Sequence, residues 1–164
     1  MVGGINKELT LSDGNQCMAK RKKKTLPALK KKAWSLLSKC IRQSSADSKG
    51  MVSCYTCGNS GNWKEMQAGH GIGGRTNSVL FDKEIIRVQC VSCNIFKSGN
   101  YTIFTTKLIK ENGMEWWENK LTNSRVLVKY TRADLEELIE RLTRASPQID
   151  PGTSPAEKLL RRGE

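Results

Sequence analysis

Two Cys-x2-Cys pairs are the residues of this sequence whose types and spacing most directly predict chemistry. Cys54 and Cys57 form the first pair, followed by Gly58, and Cys90 and Cys93 form the second. Four thiolates match the tetrahedral preference of zinc, with bonds of about 2.3 Å. The alternative is a pair of redox dithiols, but neither pair opens a helix within a β-α-β pattern. The sequence therefore predicts a structural Zn2+ site made of these four cysteines.

His70 and Asn94 are the next residues with a pattern suited to catalysis. His70 is the only histidine and lies between the cysteine pairs, and Asn94 directly follows Cys93. In a treble-clef zinc finger the first knuckle leads into a β-hairpin and the second opens a helix, so we expect the two side chains to face each other. An imidazole can deprotonate water near neutral pH, and an amide oxygen can hold a hard divalent ion. Taken alone, a single histidine is more often structural, but this position predicts a general base for phosphodiester hydrolysis.

Two cations near this pair are candidates for contact with a phosphate. Arg75 lies in a Gly-Gly-Arg-Thr-Asn loop, where its planar fork could clamp a phosphate, and we count it with the catalytic residues. Lys97 follows Asn94 by three residues and would share a helical face with it. Each is otherwise an ordinary surface cation. The sequence leaves both interpretations open.

The element expected to position the substrate is a basic helix. The chain has a net charge of +12, and residues 18–46 contain no acidic residue. Residues 26–43 carry apolar side chains at helical spacing, which predicts an amphipathic helix with one packed and one cationic face. The bland alternative is a solvated face or a nuclear-type signal, but an unmixed cationic face favours phosphate binding. We expect DNA as the partner, contacted through Lys30, Lys31, Lys32 and Arg42.

The length of 164 residues predicts one domain with irregular ends. We expect a flexible basic leader over 1–24, a zinc-stabilised domain over 25–144 and a disordered tail over 145–164. The alternation of short strands and helices predicts an α+β fold. No long apolar run and no secretory signal occur, which predicts a cytoplasmic protein without membrane contact.

A further set of short motifs resembles the NinG/Rap family of phage recombination endonucleases, within the HNH (His-Me finger) group that includes phage endonuclease VII. The resemblance covers about 25–142 and is carried by Ala68-Gly69-His70, Gly74-Arg75, Phe81-Asp82, Gln89-Cys90, Cys93-Asn94 and Ser98-Gly99-Asn100. It implies a ββα-metal core on the treble-clef site, flanked by helices. It also implies a structure-selective endonuclease that uses Mg2+ or Mn2+ on branched DNA, such as Holliday junctions and D-loops, in a phage-infected host. Phage or host recombination proteins would then be further partners.

The sequence departs from the wider HNH pattern at the catalytic ion. Many HNH enzymes have a metal ligand just before the base, where this chain has Gly69, and Ile85 and Arg87 stand where the family often has Asn and His. Asp82 or Glu84 could supply the missing carboxylate, and we favour Asp82. Two alternatives therefore stay open: a zinc-dependent DNA-binding module without cleavage, and an HNH nicking or homing-type nuclease on duplex DNA. A homodimer would suit symmetric cutting, but no heptad or apolar interface predicts one.

Overall fold

The computed structural model describes residues 24–74 and 76–145. They form a mixed fold of helices and two small antiparallel sheets, which confirms the predicted α+β class. The expected leader and tail lie outside these residues except for Lys24 and Ala145. Within the described part of the chain, no helix has the length and apolar character needed to cross a membrane. The elements are α1 (Leu26–Ser44), β1 (Met51–Ser53), β2 (Ser60–Asn62), β3 (Gln67–His70), α2 (Asn77–Leu80), β4 (Ile86–Gln89), α3 (Tyr101–Asn112), α4 (Met114–Ser124) and α5 (Arg132–Ala145), with a 3-10 turn at Lys83–Ile85 and a π turn at Ser92–Phe96.

Helix α1 confirms the amphipathic helix predicted for residues 26–43. Thr25 caps it, its hydroxyl oxygen accepting a hydrogen bond from the Ala28 amide at 3.4 Å, and a proline lies in the first turn. Its buried face presents Leu29, Ala33 and Leu37 to the core. This helix packs along α5 and also crosses β3 and β4, so it holds the sheet that carries His70.

Two hairpins organise the centre of the chain. Strands β1 and β2 pair around the first cysteine knuckle, with Val52 opposite Gly61. Strands β3 and β4 pair antiparallel between the two knuckles, and this register places His70 opposite Ile86 and Gly69 opposite Arg87. Strand β4 leads directly into the second knuckle and the π turn, so the second hairpin is anchored at the cysteine cluster.

The core joins the sheet to the C-terminal helices. A cluster of buried residues links α1 and β3 to α3, α4 and α5, with Phe104, Leu108 and Leu142 among its fully buried members. Helix α5 begins with a capping box: the Thr131 amide donates to Asp134 Oδ2 at 2.8 Å, and the Asp134 amide donates to Thr131 Oγ1 at 3.2 Å. The sequence Thr131-Arg132-Ala133-Asp134 has the spacing of a capping box, and these two hydrogen bonds form it.

Candidate metal centre and nucleic-acid surface

The four paired cysteines converge on one point in the structure. The sulfurs of Cys54, Cys57, Cys90 and Cys93 all lie within 4.8 Å of one another. The Cys57 and Cys90 sulfurs are 3.8 Å apart, and bonds of about 2.3 Å to a tetrahedral ion give an edge of about 3.8 Å. The donor set and its spacing thus fit one zinc ion. Among the residues that the structure describes, no other group of three or more His, Cys, Asp or Glu side chains is arranged to hold a metal.

Hydrogen-bond donors contact two of these sulfurs and favour the thiolate of Cys54, whereas burial raises the pKa of Cys90. Thr56 Oγ1 lies 3.4 Å from the Cys54 sulfur, and Asn100 Nδ2 donates to the Cys93 sulfur at 3.7 Å. Burial by itself raises the pKa of Cys54, but hydrogen bonds from the Thr56 hydroxyl and the Cys57 backbone lower it to about 6. Gly58 closes the first knuckle with a φ of +79°, which an L side chain rarely adopts. The site therefore combines ligands, supporting donors and a turn that permits their approach.

His70 ends strand β3 and is held firmly in place. Its Nε2 lies 3.2 Å from the Leu80 carbonyl oxygen, and its ring stacks on Trp34 of α1 with centroids 4.7 Å apart and planes inclined by 22°. Only 6% of the residue is exposed. The sequence predicted that this ring would face Asn94, but the structure covers it with the indole of Trp34. In the sequence, Trp34 stands among the lysines of a basic helix, and no local pattern indicated that it would cover His70.

Asn94 lies over Gly69 and not over the His70 ring. Side chains alternate between the two faces of a strand, so residues 69 and 70 of β3 point in opposite directions. A Cβ built on Gly69 would be 3.0 Å from Asn94 Oδ1, whereas His70 packs on the other face against α1. Consecutive Cα atoms are about 3.8 Å apart, so Asn94 Oδ1 still lies within about 8 Å of the His70 Cα. The two groups are close neighbours across the strand, which differs from the face-to-face arrangement that the sequence predicted.

A surface cavity opens between α1 and Asn94. It has a volume of about 430 Å3, and Trp34 lines it while also stacking on His70. The indole therefore borders both the His70 ring and the cavity that Asn94 lines. The remaining lining residues are Ser38, Arg42, Met66, Gln67, Ala68, Asn94 and Ile95.

The turn that carries Asn94 is wider than predicted. Asn94 lies in the π turn, and the amide of Lys97 closes that turn by donating to the Ser92 carbonyl at 2.9 Å. Lys97 is exposed at its end. Because a π turn holds more residues per turn than an α-helix, the three-residue spacing does not place Lys97 on the Asn94 face. Contact between Lys97 and DNA stays a prediction.

Two of the predicted DNA-binding cations are engaged in structural contacts. Arg42 Nη1 donates to the carbonyls of Trp63 at 3.0 Å and Met66 at 3.1 Å, and burial lowers the pKa of its guanidinium. Lys30 Nζ donates to Asn77 Oδ1 at 3.0 Å. Both cations tie α1 to neighbouring segments, and neither stands out from the helix as expected.

Asp82 also has partners away from Asn94. Its carboxylate accepts a hydrogen bond from the Glu84 amide at 3.0 Å and pairs with Lys120 at 2.8 Å. It lines a different cavity, beside Tyr130 and α5. The structure therefore does not bring Asp82 to Asn94 as a shared pair of ligands, because a lysine and a 3-10 turn hold the carboxylate elsewhere.

The exposed face of α1 keeps a cationic stripe. Lys31, Lys32 and Lys39 are exposed, and Lys31 precedes Trp34 and Ser38 by three and seven residues. At helical spacing this places Lys31 in line with the cavity edge. Arg75 lies outside the described residues, so its predicted role as a phosphate clamp stays a prediction.

The fold and site define a mixed α+β protein built around a cluster of four cysteines that fits a metal ion, with a cationic helix crossing its central hairpin. The model of the family described as Bacteriophage Lambda NinG protein matches residues 10–149, and the chain belongs to this phage recombination-related family. Comparisons with curated proteins and with solved structures give no match.

Proposed function

We propose that this chain is a DNA endonuclease that hydrolyses phosphodiester bonds in branched recombination intermediates, with His70 as general base and a divalent ion as cofactor. One observation carries the proposal. A locked histidine and an amide oxygen lie on either side of one strand, beside a cationic helix and on a scaffold anchored by four cysteines. Membership of a phage recombination-related family supports the choice of branched DNA as substrate.

The hydrogen bond of His70 determines which ring nitrogen can act as a base. A carbonyl oxygen only accepts, so the contact with Leu80 requires a proton on Nε2 of the neutral ring. The lone pair is then on Nδ1. In the proposed step Nδ1 removes a proton from water, the water oxygen bonds to phosphorus, and the bond from phosphorus to the 3′ oxygen breaks. Trp34 fixes the plane of the ring during this transfer.

Asn94 would hold the divalent ion on the other face of β3. Its Oδ1 points towards Gly69, and its Nδ2 donates to Gln67 Oε1 at 2.6 Å, so the oxygen is the atom turned to the strand. A bound Mg2+ or Mn2+ supplies charge neutralisation at the scissile phosphate and the leaving oxygen. The order of strands β3 and β4 and the π turn supports the proposal of a ββα-metal arrangement, which the resemblance implies.

The stripe on α1 would bind the DNA backbone. Lys31 and Lys32 are exposed, and Lys31 lies one helical turn before Trp34, at the edge of the cavity that contains Asn94. Cations that neutralise phosphates release condensed counterions, so binding should weaken linearly on a log-log plot against salt. Six phosphate contacts would give a slope of about −5.

Two exposed apolar residues next to Asn94 favour a branched substrate. Ile95 is 54% exposed and Phe96 is 80% exposed at the tip of the π turn. Aromatic side chains stack on bases that are not covered by a neighbouring base pair, and such bases occur at branch points. In a linear duplex every base is stacked between its neighbours, so an aromatic side chain would first have to separate two stacked base pairs.

The test is cutting of a labelled four-way junction by zinc-loaded protein, compared with linear duplex of the same sequence. We expect incision of the junction in Mg2+ and none when Mg2+ is omitted from the zinc-loaded protein. Equal cutting of both substrates would instead indicate a nuclease for ordinary duplex DNA. Binding without cutting in Mg2+ or Mn2+ would contradict the enzyme proposal.

One observation favours a second candidate, a zinc-dependent DNA-binding module without cleavage. His70 is 6% exposed beneath Trp34, as a structural histidine would be. In that case His70→Ala would destabilise the domain, and the junction would be bound but never cut. The junction assay therefore separates the two candidates.

A further inference from the structure

Gln89 is a buried polar residue that the proposed mechanism does not yet use. It ends β4, faces Gln67 in the strand register and is 0% exposed. Its Nε2 donates to the Gly99 carbonyl at 2.8 Å and to Thr56 Oγ1 at 3.1 Å. Its Oε1 is one of two buried side-chain oxygens without a hydrogen-bond partner among the described residues; the other belongs to Gln43.

The contacts of Gln89 fix the orientation of its amide. The Gly99 carbonyl can only accept, so the amide group near it must be the NH2 and not the oxygen. A flipped amide would place two oxygens against each other. Oε1 must therefore point the other way, towards Gly69.

Gly69 is the place where two amide oxygens meet. A Cβ built on Gly69 would lie 2.0 Å from Gln89 Oε1 and 3.0 Å from Asn94 Oδ1, so the two oxygens are at most 5.0 Å apart. Real Cβ atoms essentially never approach another heavy atom to 2.0 Å. Only glycine at this position lets Gln89 reach the Asn94 side of the strand.

Both amides present their oxygens to this point because their nitrogens are engaged elsewhere. Asn94 Nδ2 is bound to Gln67 Oε1, and Gln89 Nε2 is bound to Gly99 and Thr56. A buried oxygen without a hydrogen-bond partner destabilises the folded protein by about 1–3 kcal/mol. A weak hydrogen bond from a Cα–H group offsets only about 0.5–1 kcal/mol of this loss. The nearby Asn94 oxygen adds repulsion to this cost, and a cation between the two oxygens would remove both.

The geometry suits a small hard cation. Oxygens bound to one Mg2+ at about 2.0–2.1 Å are separated by roughly 3 Å when adjacent and roughly 4 Å when opposite, within the upper limit set by Gly69. Neutral amide oxygens provide weak ligation, and phosphate oxygens and water would complete the shell. The cavity is lined by Asn94 and not by Gln89, so solvent and phosphate would approach the ion from the Asn94 side.

We propose that Gln89 Oε1 and Asn94 Oδ1 together are the protein ligands of the catalytic divalent ion, with Gln89 taking the place of a side chain at Gly69. This inference rests on the proposed function, because it assigns a ligand to the ion used there. It also explains why neither Asp82 nor Glu84 is needed. Their ion pairs with Lys120, at 2.8 and 2.5 Å, can remain intact.

The test moves the proposed metal ligand from position 89 to position 69 and measures Mn2+ binding directly. Free Mn2+ is followed by electron paramagnetic resonance in zinc-loaded protein, with zinc content measured on each sample. We expect Gln89→Ala and Asn94→Ala each to weaken Mn2+ binding by at least tenfold. Gly69→Asp alone should also bind poorly, because its Cβ collides with Gln89 Oε1.

The double variant, Gly69→Asp with Gln89→Ala, distinguishes a ligand from a merely structural glutamine. The smaller residue at 89 makes room for the new carboxylate, so we expect Mn2+ affinity at or above that of the unmodified protein. Full Mn2+ affinity in Gln89→Ala, or no recovery in the double variant, would overturn the inference.

The same samples separate this inference from the proposed function. A protein that cuts junctions and needs Asn94 but not Gln89 for Mn2+ refutes the ligand role alone. Mn2+ binding through both residues without any DNA cutting refutes the endonuclease and leaves the metal site standing.

Discussion

The cysteine cluster and the His70 region were equally visible in the sequence, yet only the first has the predicted arrangement. Each Cys-x2-Cys pair is a local unit, and four sulfurs that bind one ion have little freedom in their separation. His70 and Asn94 belong to different elements, and their relation depends on the phase of β3 and the packing of α1. The comparison teaches that ligand spacing predicts a metal site, whereas a catalytic pair also requires the tertiary contacts around it.

Disrupting the cysteine cluster should have the largest effect of the changes considered, because the cluster holds the centre of the domain together. Structural zinc contributes roughly 10–16 kcal/mol, as much as or more than the total stability of a small domain, about 5–15 kcal/mol. We expect Cys93→Ser, or chelation of the zinc, to unfold the centre, measured by circular dichroism. Cys40→Ser is the matched control, since its sulfur contacts the Leu142 carbonyl at 3.7 Å and lies outside the cluster. Equal unfolding of both variants would contradict a specific role for the cluster.

Removing the imidazole tests the other region without disturbing the cluster. We expect His70→Ala to reduce the rate of junction cutting by about 10^2–10^4, the usual contribution of a general base. Zinc content and junction affinity should stay unchanged, because the four sulfurs and the α1 lysines are untouched. Cutting at the original rate would remove His70 from the mechanism.

The α1 stripe offers a smaller effect that concerns binding alone. Replacing both Lys31 and Lys32 with Gln should make the slope of log affinity against log salt concentration less negative by about 2. Junction binding at 50 mM salt should weaken roughly a hundredfold. The matched control replaces Lys110 and Lys129, which are exposed on other segments and remove the same charge. An equal change in the two double variants would indicate that only net charge matters.

The smallest expected effect concerns branch selectivity. Phe96 is exposed beside Asn94, and stacking on one base contributes roughly 1 kcal/mol or more. We expect Phe96→Ala to lower the preference for a junction over linear duplex by about fivefold to tenfold, and Phe96→Tyr to retain it. Leu127→Ala, at another exposed apolar position, is the control. An unchanged preference in Phe96→Ala would remove this residue from branch recognition.

Sequence patterns predicted the parts of this fold that depend on neighbours along the chain. The α1 helix, the capping box at Thr131 and the cysteine knuckles follow from periodicity, capping chemistry and ligand spacing. The stacking of Trp34 on His70 follows from the packing of α1 against the sheet, which no local pattern encodes.

The role of Gly69 was hidden for a related reason. In the sequence it is a missing ligand, whereas in the structure it is the space into which Gln89 and Asn94 project. Arg42 and Asp82 show the same limit, because a charged residue in a sequence does not reveal whether backbone carbonyls or a lysine already engage it. Charge and residue type predicted the chemistry, and tertiary packing decided which groups carry it.

The most direct test of the central claim is chemical rescue of His70→Ala. Removing the ring leaves a space beneath Trp34 that matches free imidazole in size and shape. The account predicts that added imidazole restores junction cutting in Mg2+ in a concentration-dependent way, and that it has no effect on Asn94→Ala. Cutting by His70→Ala at the original rate without imidazole, or equal stimulation of both variants, would contradict it.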